Sequence, residues 1–279
     1  MGMTFDKMTE LKIRKGEPID FKGLRIHPVT MDNYELFLDC SRVWTFRQST
    51  MDFEYLKLSF IEAMWALEVD LKNKTGNSAG LFARLLLLLK ISLRLDGEDG
   101  EISKMVFVDS KDERKFMFLR LSQGGHDVDV DAKMFDNELR PLIAEMNGLV
   151  LPNESENPDI VEAERDLNEK RVIDIDTNTD TLIQSVAYQS HVRERDIYDW
   201  TVREFENRRR AIDRSRENLI CAIAGTSGFI KFNNGNPVPS WCFDKAKGLS
   251  QGLRPISEMS KRFSAVGDMN QAVASSENQ

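Results

Sequence analysis

Three aspartates at alternate positions, Asp127, Asp129 and Asp131, are followed by Glu138 at the twelfth position of the same run, which is the ligand spacing of an EF-hand calcium loop. Such a loop turns sharply on a glycine at its sixth position, and Ala132 stands there instead. Val128 and Val130 alternate with the aspartates, as in a solvated edge strand. A second acidic run, Asp174, Asp176, Asn178 and Asp180, also lacks the glycine and has Ser185 where the closing glutamate belongs. It is expected to be a polar loop or a helix cap. Neither run predicts a bound metal.

His27, His126 and His191 are too scattered to form a local acid–base pair or ligand set, and are expected to be surface or structural residues. Cys40, Cys221 and Cys242 are odd in number, far apart and without a CxxC pair, which predicts reduced, partly buried thiols. The sequence contains no GxSxG, Walker A or GxGxxG pattern, so the familiar nucleophile and phosphate-cradling arrangements have no support. The expectation is a protein with no catalytic residues and no cofactor.

The arginines between Arg193 and Arg216 raise the possibility of phosphate binding, but Glu194, Asp196, Asp199, Glu204, Glu206, Asp213 and Glu217 are interleaved with them. Opposite charges at that spacing predict a salt-bridged, solvated helix face rather than a phosphate strip. The whole chain points the same way: 38 Lys and Arg against 46 Asp and Glu leave a net charge of -8, which argues against a nucleic-acid backbone as partner.

These residues must be carried by regular elements. Residues 11–30 read as extended, a small hairpin or arm, with turn signals at Gly16-Glu17-Pro18 and Lys22-Gly23. From Asp32 the period becomes helical through Tyr34, Phe37, Leu38 and Val43, with Asp32 available as N-cap. Asp52 is a second candidate cap, for a helix carrying Tyr55, Leu56, Ile61, Trp65, Leu67 and Val69, and Ser78 a third, for the leucine-rich run that follows. Arg84, Lys90 and Arg94 interrupt that run, and spanning a bilayer takes about 20 apolar residues, so a core helix is expected and no membrane. The three helices are expected to bury Trp44, Trp65 and the leucines of residues 85–89 together.

Residues 96–100 (DGEDG) stop the third helix, and MVFVD at 105–109 with KFMFLRL at 115–121 predicts a β-hairpin. Residues 127–149 add a third strand and a helix ending near Asn147-Gly148, with Pro141 in its first turns or at a kink. Residues 151–159 (LPNESENPD) are the candidate linker, and IVEAERDLNEK after them a short charged helix. Two further helices follow at 181–191 and 199–224, the longer one with an apolar stripe of Val202, Phe205, Ile212, Leu219 and Ile223.

The fold class predicted is mainly α with a small β element (α+β): a helical N-terminal core, a short central hairpin and a helical C-terminal region. The expected domains are 1–150, 159–244 and a mobile tail at 245–279 that orders on a partner. The opening MGMTFDKMTELKIRKG mixes charges throughout and lacks a signal-peptide layout, so a cytoplasmic location is expected.

Several segments carry a resemblance: KGEPI at 15–19, IHPVTMDNYELFLDC at 26–40, the central unit ending in EMNGL at 145–149, WTVREFENR at 200–208 and SGFIKFNNGNPVPSW at 227–241. Together they resemble phage proteins encoded among the tail genes, the tail assembly chaperones of tailed phages. The resemblance implies a protein of the host cytoplasm that coats the tape-measure protein, helps recruit tail-tube subunits and self-associates. The alternative it implies is a tail or baseplate structural subunit of the virion. For the chaperone role, Val202, Phe205, Ile212, Leu219, Phe229, Phe232 and Trp241 are the candidate partner-binding residues, with packing of Phe232 and Trp241 into a local core as the competing role.

Overall fold

The computed structural model describes residues 5–78, 80–95, 105–154 and 178–227. The chain divides into two compact units, Met1–Ile212 and Asp213–Gln279. The described residues form a mainly helical fold with two small antiparallel sheets, one of two strands and one of three, which is the fold class the periodicities predict.

Helix α1 (Lys7–Lys15) starts where the Asp6 side chain accepts from the Thr9 amide at 2.7 Å, and stops at Gly16, whose φ of 68° lets the chain turn out of the helix. The extended N-terminal arm expected there is therefore corrected to a helix over Leu11–Lys15. An aspartate cap at one end and Lys12, Arg14 and Lys15 at the other outweigh the turn signals that follow. The hairpin does form: β1 (Ile19–Phe21) pairs with β2 (Leu24–Ile26) across Lys22-Gly23.

Helix α2 (Tyr34–Trp44) follows a 3₁₀ turn at Met31–Asn33, so Asp32 lies inside that turn and makes no side-chain cap. Helix α3 (Phe60–Thr75) is opened by a capping box between Ser59 and Glu62, not by Asp52, because Tyr55–Lys57 is only a single 3₁₀ turn. Helix α4 (Leu81–Leu93) has no local cap. Glu68 of α3 reaches across and accepts from the amides of Gly80, Leu81 and Phe82 and from the Ser78 hydroxyl. Ser78, the expected cap, serves as a donor to that carboxylate.

The three-stranded sheet runs β3 (Val106–Asp109), β4 (Asp112–Gln123) and β5 (His126–Asp131), with β4 central. Asp131 accepts from the Met134 amide and so ends the strand and starts α5 (Ala132–Met134). A π turn at Phe135–Leu139 leads into α6 (Arg140–Met146). Pro141 sits at the start of α6, and the widened turn before it suits a residue that has no amide to donate and crowds the preceding turn.

Helices α7 (Thr179–Ser190), α8 (Glu194–Ile197) and α9 (Val202–Thr226) complete the described chain. Asn178 caps α7 by accepting from the Thr181 amide, which makes that member of the second acidic run a helix cap. Asp174 and Asp176, the charged segment after residue 159 and everything from 228 onward lie outside the described residues, as do residues 155–159 of the expected linker.

A large core runs through the first unit, from Ile13 to Phe205, beside a small cluster of Tyr55, Ala63 and Ala66. Trp44 is fully buried among Leu85, Leu89 and Phe135, while Trp65 is partly buried and packs edge-on against Phe82 at 5.0 Å. Ile183, Val186, Ile197, Val202 and Phe205 belong to this same core.

Candidate functional site

Four of the five segments singled out in the sequence meet at one junction of the first unit, the fifth lying outside the described residues from 228 onward. Thr30 bridges Thr201, the Met31 amide donates to the Trp200 carbonyl at 2.9 Å, and the Val202 amide donates to Val29 at 2.9 Å. The Val29 amide in turn donates to the buried Asn147 side chain at 2.8 Å, whose own amide group donates to the Ile143 carbonyl. Gly16 closes the ring: a Cβ there would stand 3.0 Å from Thr201 Cγ2. KGEPI, IHPVT, EMNGL and WTVREFENR are thus distant in sequence and adjacent in space.

Charged groups lock the rim of this junction. Arg203 donates to the backbone carbonyl and the carboxylate of Glu145, Arg208 pairs with Glu204 at 3.0 Å and lies over the Trp200 ring at 4.1 Å, and Arg209 pairs with Glu206 at 2.8 Å. Tyr34 donates to Glu206 at 2.9 Å, and its ring stands edge-on to Phe205. Burial and the Glu206 charge hold the Tyr34 hydroxyl far above its ordinary value, so it remains a neutral donor. Arg208 and Arg209 thus pair within α9 at the spacing the sequence offers, and Arg203 reaches across to α6.

The candidate residues divide along α9. Val202 and Phe205, expected to bind a partner, are 1% and 0% exposed and lie in the core, where the first turns of α9 carry the junction. Ile212 is half-buried against the same core. Within the second unit Leu219, Ile220 and Ile223 are 59%, 65% and 59% exposed. At 100° per residue all of these apolar positions fall within one arc of about 100° on the helix, so a single stripe is covered at its start and open at its end. Ile220, the added member, is one step outside the spacing that singled out the others. Phe229, Phe232 and Trp241 lie outside the described residues.

The groups that spacing offered for chemistry are occupied in other ways. Asp129 takes a bidentate pair from Arg120 at 2.7 Å, Asp131 caps α5, and Glu138 pairs with Lys22 at 3.1 Å. Among the described residues no group of three or more His, Cys, Asp and Glu could hold a metal ion. The Cys40 thiol is pushed up to about 11 by burial and by Asp39, which keeps it protonated and unreactive. Cys221 is half-buried and Cys242 lies outside the described residues. His27 is held below its ordinary value by burial and then by Arg94 and Arg25, a sign of positive field at the end of α4.

One buried charged site was not legible from spacing. Asp136, in the π turn, accepts from the Phe60 amide at 2.6 Å and sits near Arg140, whose guanidinium lies 3.3 Å from the Phe60 ring centre and donates to the Trp44 carbonyl. Burial pushes Asp136 up to about 6 and Arg140 down to about 10, against their mutual attraction. Its geometry ties α2, α3 and α6 together.

Two shallow clefts mark the surface of the first unit. One, about 400 Å³, lies between Arg14 and Gly16 of the α1 end and Arg203, Asn207 and Arg208 of α9. The other, about 340 Å³, lies between the start of α2 and the end of α4. Among the described residues no helix is long and apolar enough to cross a membrane. No protein-family model matches the chain, and neither a curated protein nor a solved structure matches it.

Proposed function

We propose that this chain is a tail assembly chaperone of a tailed phage, binding the tape-measure protein in the host cytoplasm and promoting assembly of the tail tube. The observation that carries the reading is the apolar stripe of α9, which is core at Val202 and Phe205 and open at Leu219, Ile220 and Ile223. A helix face of that kind suits a protein that covers amphipathic helices until they can bury their own apolar sides. The meeting of four resembling segments in one junction supports a shared fold framework behind it. The net charge of -8 suits the role as well, since repulsion limits collapse of many copies on one long partner.

Co-expression with the tape-measure protein tests the reading, followed by mass spectrometry of purified particles. The expected result is co-purification with tape measure and absence from finished virions. A fixed copy number in virions would instead establish the tail or baseplate subunit. A Leu219→Ser/Ile223→Ser variant should fold normally and lose tape measure, because both side chains are exposed.

A further inference from the structure

We draw no further inference here: the strongest candidate, the half-buried aromatic patch of the three-stranded sheet where Phe107 stacks on Phe118 at 4.5 Å with Arg120 over both rings, has that arginine already held by Asp129, and nothing among the described residues shows what covers it.

Discussion

Asp136 shows how burial can work against a residue's own hydrogen bonds. Its carboxyl is raised from 3.8 to about 6 by desolvation, although the Phe60 and Ile61 amides and Arg140 all favour the ionised form. The native state thus holds a proton that the unfolded chain releases between those values. The contribution of this group to stability is present in full below about pH 4 and is lost as pH rises toward 6, an effect on the order of 2–3 kcal/mol. Asp136→Asn should remove that slope, so its urea midpoint between pH 4 and 6.5 should fall less steeply than the wild type's; parallel curves would contradict the assignment. Ser92 offers a simpler case. Its hydroxyl is fully buried and has no hydrogen-bond partner among the described residues, so Ser92→Ala should be neutral or raise stability by up to about 1 kcal/mol in a denaturant melt.

Glu68 makes one helix the cap of another. Burial pushes its carboxyl up, and the bonds from Ser78, Gly80, Phe82 and Leu81 bring it below the ordinary carboxylate value, so it is ionised at the amino end of α4. Glu68→Ala leaves the Leu81 and Phe82 amides without this acceptor and should cost about 2 kcal/mol or more, with Glu68→Gln recovering part of it; equal loss in both would mean that charge decides. Gly16→Ala should cost about 1–2 kcal/mol, since the residue has φ of 68° and the new methyl meets Thr201, and Thr201→Ser should relieve part of the cost. These elements also show what the sequence could tell. Periodicity located α2, α4, the β3–β4 hairpin and α9, because each buries residues at its own repeat. It missed α1, whose nine residues bury only Ile13 and are held mainly by caps. It also misplaced the starts of α3 and α4, since Ser59 was one cap among several candidates and Glu68 caps from a helix away. At the candidate site the α9 stripe was legible, but which end of it is covered depends on Val29, Tyr34 and Asn147, partners far off in sequence.

At the scale of the molecule, Val202 and Phe205 belong to the large core of the first unit. Phe205→Ala should therefore cost about 3–5 kcal/mol and lower the same calorimetric transition as Leu85→Ala, whereas Leu219→Ala should leave that transition within about 0.5 kcal/mol of wild type. Two separate transitions shifted by the two core variants would show that residues 178–212 fold independently. The sheet carries a further consequence at this scale. Strand β5 is an outer strand whose wet face repeats Asp127, Asp129 and Asp131, and two such strands laid side by side would oppose carboxylate to carboxylate. Carboxylate facing carboxylate disfavours edge-to-edge pairing of such strands, so the run that resembles a cation trap in sequence is in the fold a charged strand edge, with Asp129 held by Arg120 and Asp131 by the next helix.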